Sequence, residues 1–93
     1  MPFPADGPLF ADEGILLSRV GVDHRSTMLT RGTLEQYADA LVCGAYRFPL
    51  KEISSMAPVQ SHLLLLSHQG SYYELRAPGG ANLRKYLEIW KNR

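Results

Sequence analysis

The chain has 93 residues, 45% hydrophobic and 20% charged, and its formal net charge at pH 7 is +1. This length suits one domain with a thin core, and the composition is typical of a folded globular protein and excludes disorder across most of the chain. Because the charge is nearly balanced, the chain lacks the basic stripe of a dedicated nucleic-acid-binding protein, and the single cysteine, Cys43, excludes an internal disulfide.

The predicted organisation begins with an irregular segment. Residues 1–13 contain three prolines, each of which removes a backbone donor and favours extended geometry in the residue before it. We predict that residues 1–13 form a lead-in or linker and that residues 14–93 form a single domain.

Strand patterns occupy the first half of that domain. Residues 14–22 form the first predicted strand, a polar turn follows, and the threonine-rich residues 27–37 form the second. Residues 40–43 predict a short apolar strand that ends at Gly44. The apolar residues between positions 34 and 42 also fit the 3.6-residue period of a helix, so a strand and a helix both stay open there.

The second half continues with strands. Alternating apolar residues predict a strand over residues 46–50, which Pro49 confines to a sheet edge or a strand end. The Ala-Pro pair at residues 57–58 predicts a break. Residues 63–66 and 72–77 then form a predicted hairpin around a tight turn that contains a glycine.

The C-terminal segment has the periodicity of an amphipathic helix. The spacing i, i+3, i+4 and i+7 places four apolar residues on one stripe, and these are Leu83, Tyr86, Leu87 and Trp90. Burial of four such side chains makes this helix a structural element. The predicted fold class is therefore mainly β, with about seven strands and one C-terminal α-helix.

This order of strands and helix resembles the pleckstrin-homology-like superfold, in particular its GRAM and bacterial PH branches. Residues 48–53, F-P-L-K-E-I, look like the f-x-P-L-x-x-I segment of bacterial PH sequences without the residue between its aromatic and proline positions, and residues 63–66 and 72–75 look like the last hairpin. The resemblance implies a PH-like barrel of two bent sheets that the helix caps. It also implies a non-catalytic binding or regulatory module, within a larger membrane-associated protein, that recognises a protein partner or an anionic membrane surface.

The resemblance further implies where a ligand binds. In phosphoinositide-binding members the first hairpin carries a basic K-x(n)-[KR]-x-R pattern, and this sequence departs from it because its basic residues are scattered. The candidate binding residues on and near the first hairpin are Arg19, His24, Arg25 and Arg31. The outer face of the helix gives a secondary candidate surface, formed by Arg84, Lys85 and Lys91.

No catalytic site, metal site or cofactor is predicted. His62 and His68 lie on the same strand parity, but six residues of strand separate them by roughly 20 Å, which is too far for one metal ion. The sequence has no G-x-S-x-G nucleophile elbow, and Cys43 ends an apolar strand, as a buried structural thiol does. We therefore predict that the protein is not an enzyme.

The apolar runs are short. The longest covers residues 63–66, whereas a membrane helix needs about 20 residues, and the N-terminus lacks the basic and apolar regions of a signal peptide. We expect a cytoplasmic protein with peripheral contact to a membrane. The alternative function is a structural domain that self-associates through its sheet edges as a homo-oligomer.

Overall fold

The computed structural model describes residues 7–93, which form seven strands and one α-helix. The elements are β1 (Phe10–Val20), β2 (Ser26–Gln36), β3 (Ala40–Cys43), β4 (Tyr46–Pro49), β5 (Ile53–Gln60), β6 (Leu63–His68), β7 (Ser71–Arg76) and α1 (Arg84–Lys91), with a 3₁₀ turn at Leu50–Glu52. The predicted mainly β class with one C-terminal helix is confirmed.

All seven strands belong to one antiparallel sheet in the order β4-β3-β2-β1-β7-β6-β5. The two edge strands, β4 and β5, do not pair with each other, and the Leu50–Glu52 turn connects them. The sheet is therefore open, and the predicted two-sheet barrel is not confirmed. Pro49 ends the edge strand β4, as its missing backbone donor requires.

The sheet curls around a single core. Phe48 on β4 places its ring 5.1 Å from the ring of Tyr73 on β7, although three strands separate β4 from β7 in the sheet. The inner face that results is lined by apolar side chains that are almost fully buried, among them Ile15, Leu17, Leu34, Leu41, Phe48, Leu64, Leu66 and Leu75. Curling lets one sheet supply both walls of its core, which a flat sheet of this size cannot do.

Strand β1 begins at Phe10, four residues before the predicted start of the domain. Gly14 is the site of a β-bulge within this strand, with φ of 71°, rather than the strand's first residue. Contacts with the helix hold the early part of β1 in place, since the Phe10 ring packs edge-on against Tyr86 at 4.9 Å. Residues 1–6 of the predicted lead-in lie outside the described residues.

Two local predictions are decided by backbone pairing. Residues 34–42 are strand and turn rather than helix, because Gln36 ends β2 and its Nε2 donates to the carbonyls of Tyr37 and Ala40, which hold the turn into β3. The predicted break at residues 57–58 is wrong, because β5 runs through Pro58. An edge strand tolerates this proline, since one side of its backbone is unpaired.

The helix α1 covers the inner face of the sheet. The hydroxyl of Tyr86 is buried, and its single hydrogen is shared between Asp12 Oδ2 at 2.7 Å and the Leu34 carbonyl at 3.2 Å. Trp90 Nε1 donates to the Ile53 carbonyl at 3.1 Å. The predicted stripe therefore packs against β1 and β2 at one end and β5 at the other. At eight residues α1 is too short to cross a bilayer, and no other helix in residues 7–93 is long and apolar enough to do so.

Candidate functional site

A groove of about 770 Å³ lies at one end of the sheet, between the β1–β2 turn and the β6–β7 turn. Residues of both hairpins line it, although the two turns are far apart in sequence. The residues that give the groove its chemistry are Arg19, Val20, His24, Leu65, Ser71 and Tyr72.

The β1–β2 turn is a closed, internally bonded structure. Gly21 donates its backbone N–H to the Arg25 carbonyl at 2.8 Å, and Asp23 Oδ1 accepts from the Arg25 N–H at 3.1 Å. A Cβ at Gly21 would lie only 2.9 Å from Asp23 Oδ1, so glycine permits this close approach. The turn leaves the Val22 side chain fully exposed at its tip.

Hydrogen bonds with Glu52 stabilise the β6–β7 turn. Its two central residues, Gln69 and Gly70, both have positive φ, of 51° and 81°, as the tightest hairpin turns require. Glu52 Oε1 lies 3.1 Å from His68 Nε2 and accepts a hydrogen bond from Gln69 Nε2 at 3.1 Å. The Glu52 carboxylate thus connects the β6–β7 hairpin to the 3₁₀ turn between β4 and β5.

Arg19 joins the two hairpins. It faces Tyr73 across the β1–β7 ladder, and its Nη2 donates to Ser71 Oγ at 3.3 Å. Arg19 forms no ion pair with a carboxylate of residues 7–93, whereas Arg25 is paired with Asp23 at 3.7 Å. The positive charge of Arg19 is therefore unpaired among residues 7–93, and its side chain leaves β1 on the face opposite to that of Val20.

The floor of the groove is apolar and lies on the outer face of the sheet. Val20 and Tyr72 are directly opposite each other on β1 and β7, and Leu65 lies on β6 opposite Glu74. Tyr72 is 61% exposed. Glu74 at the end of this floor is paired with Arg76 at 3.5 Å.

The four predicted binding residues separate into two groups. Arg19 and His24 lie together in the groove, and the side chain of Arg25 is directed to Asp23 outside it. Arg31 is opposite Leu16 on β2, about 13 Å along the strand from Val20 at the strand rise of each residue. The prediction missed Leu65, Ser71 and Tyr72, although the outward parity of Tyr72 in its strand was a usable signal.

The secondary candidate surface on the helix is only partly available. Lys85 Nζ is paired with Asp12 Oδ2 at 3.0 Å and lies 5.1 Å from the centre of the Phe10 ring. The charge of Lys85 is therefore used in a contact between α1 and β1. Arg84 and Lys91 remain exposed on the outer face of α1.

The second large groove, of about 620 Å³, lies between the β2–β3 turn and the edge strand β4. Arg47 on its wall is paired with Asp39 at 3.7 Å, and Lys51 and Glu52 lie next to each other at its end. Arg93 also lines this groove, and neither Lys51 nor Arg93 forms an ion pair among residues 7–93, so this groove too can attract an anion.

The side chains of Ser71 and Cys43 lack the surroundings that would activate a nucleophile. The hydroxyl of Ser71 accepts from Arg19, a cation that cannot serve as a general base. Cys43 is fully buried on β3, and that burial raises the pKa of its thiol, which disfavours the reactive thiolate. Residues 7–93 contain no group of three or more histidine, cysteine, aspartate or glutamate side chains arranged to hold a metal ion.

The chain was compared with family models, curated proteins and solved structures. No family model, no curated protein and no solved structure matches the chain.

Proposed function

We propose that the protein is a non-catalytic binding module with a PH-like fold, and that it recognises an anionic partner, either a protein or a membrane surface, through the groove between the β1–β2 and β6–β7 turns. The order of strands and the helix laid across the inner face support the PH-like assignment. The proposed site is the hairpin end at which the resemblance expects a ligand.

A single observation carries the proposal. Arg19 contacts Ser71, has no carboxylate partner among the described residues, and lies at the end of the sheet where Tyr72 is exposed on the opposite face. An unpaired cation and an exposed aromatic side chain are both groups that a binding partner can contact. His24 also lines the groove.

We expect weak, salt-sensitive binding to vesicles of phosphatidylcholine that contain phosphatidylserine. Each cation near an anionic membrane contributes about 1 kcal/mol, so two or three cations at this end give a dissociation constant on the order of ten millimolar. Co-sedimentation at low and at high salt measures the effect. Because screening weakens exposed charges, the bound fraction should fall at high salt.

Variants locate the binding. Arg19→Ala should reduce sedimentation, and Arg31→Ala, which removes the same charge about 13 Å away along the sheet, should reduce it less. Tight binding that survives high salt and Arg19→Ala would place the site elsewhere, and the exposed Arg84 and Lys91 would be the next residues to test.

A further inference from the structure

We propose that the outer face of the sheet binds a phosphate monoester between Arg31 on β2 and Arg76 on β7. The two guanidinium groups hold the phosphate dianion above Leu16, which lies between them on β1. This site uses neither Arg19 nor the groove between the two turns. The inference therefore goes beyond the proposed function and does not depend on it.

Strand pairing places the two arginines on the same face. Arg31 is directly opposite Leu16 in the β1–β2 ladder, and Arg76 is directly opposite Leu16 in the β1–β7 ladder. Residues directly opposite each other point their side chains to the same side of a sheet. The next residue along β1, Leu17, is fully buried on the inner face. Leu16 and both arginines therefore project from the outer face.

The spacing of the two arginines suits one small anion. Neighbouring strands lie about 4.8 Å apart, so the Cα atoms of Arg31 and Arg76 are about 10 Å apart across β1. An arginine side chain is long enough to cover half of that distance. Its planar fork of N–H donors matches the oxygen atoms of a phosphate group. One dianion can therefore contact both guanidinium groups.

The charges at this site favour a dianion. Arg31 is exposed and forms no ion pair with a carboxylate of residues 7–93. Arg76 is 44% exposed, and its Nη2 lies 3.5 Å from Glu74 Oε1. A guanidinium has several N–H donors, so Arg76 can contact an anion without releasing Glu74. A phosphate monoester, which carries nearly two charges at neutral pH, gains more from two cations than a sulfate monoester or a carboxylate does.

The test is titration of the ¹⁵N-labelled protein near neutral pH with phenyl phosphate and with phenyl sulfate. The two probes have similar shapes, and the sulfate carries only one charge. We expect phenyl phosphate to shift the backbone amides of Leu16, Arg31 and Arg76. Phenyl sulfate should bind about fivefold more weakly, the upper value for an interaction between exposed charges.

Matched variants locate the binding. Arg31→Gln and Arg76→Gln should each weaken phenyl phosphate about fivefold. Glu74→Gln should strengthen it, because this change removes the carboxylate that shares Arg76. Arg25→Gln is the control and should leave binding unchanged, since Arg25 lies at the β1–β2 turn and is paired with Asp23. The spectrum of each free variant verifies folding.

The source of the phosphate monoester is either a soluble compound or the headgroup of phosphatidic acid. Co-sedimentation with phosphatidylcholine vesicles that contain phosphatidic acid separates the two sources. Sedimentation that Arg31→Gln abolishes assigns the lipid. Sedimentation that is absent, or that Arg31→Gln leaves unchanged, assigns the soluble ester once phenyl phosphate has been shown to bind.

Three results would overturn the inference. They are equal binding of phenyl phosphate and phenyl sulfate, equal losses from Arg31→Gln and Arg25→Gln, and the absence of amide shifts around Leu16. The first two are the behaviour of general surface charge. None of the three affects the proposed function, which the phosphatidylserine vesicles and Arg19→Ala test separately.

Discussion

Tyr86 shows how one side chain connects the helix to two strands. Its buried hydroxyl shares one hydrogen between Asp12 and the Leu34 carbonyl, and Lys85 pairs with the same Asp12 oxygen. Burial, followed by the contact with Asp12, raises the pKa of Tyr86 well above its ordinary value of 10.0. The folded protein therefore holds this hydroxyl in its neutral form, as an interior with a carboxylate nearby must.

We predict that Tyr86→Phe lowers the free energy of unfolding by about 1 to 2 kcal/mol near neutral pH, because it removes the hydrogen bond that the hydroxyl shares between Asp12 and Leu34 and almost no packing volume. Since the folded pKa of Tyr86 is raised, its contribution is complete below pH 10 and is lost as the pH rises further. Urea melts of both proteins from neutral to alkaline pH should show the difference between them shrinking above that value. A constant difference would contradict the role given to the hydroxyl. Cys43, whose pKa is also raised, is present in both proteins and cancels.

At the scale of elements, sequence periodicity predicted the strands, turns and helix that have local sequence patterns. It did not predict features that depend on contacts between residues far apart in the sequence. The alternation in β7, the turn at Gly70 and the stripe of α1 are local signals, and the elements they predict are present. The start of β1 at Phe10 depends on contacts with Tyr86, so no local pattern marks it. The floor of the groove consists of residues from β1, β6 and β7. The pairing of these strands cannot be predicted from the sequence of any one of them.

Trp90 supports the second end of the helix, and its replacement tests the predicted role of α1. Its ring is partly buried against the core, and its Nε1 donates to the Ile53 carbonyl on β5. Trp90→Ala should cost about 3 kcal/mol in the free energy of unfolding, at the lower end of values for buried aromatic residues. Lys91→Ala, one residue away on the exposed face, is the control and should change stability by less than about 0.5 kcal/mol. Similar urea midpoints for the two variants would show that the helix does not close the core.

At the scale of the whole molecule, the open sheet leaves two edges at which a second copy could add a strand. Both edges carry features that oppose such pairing. Strand β4 has four residues and ends at Pro49, and β5 contains Pro58 between two irregularities in its register. Short strands, prolines and bulges are the devices by which sheet proteins avoid edge-to-edge association. They favour the binding module over the self-associating structural domain.

We therefore predict that the protein is a monomer by gel filtration with light scattering, with a mass that does not change with concentration. Pro58→Val tests whether the proline in edge strand β5 prevents association. The substitution gives the middle of β5 a backbone N–H donor and a β-branched side chain. This variant should show a mass that rises with concentration. Gly79→Ala, in the loop before α1, is the control, since a Cβ there meets nothing within 4 Å, and it should remain monomeric. A stable dimer of the unaltered protein would reverse the preference, because the edges would then be interfaces, and assembly would replace ligand binding as the function to test.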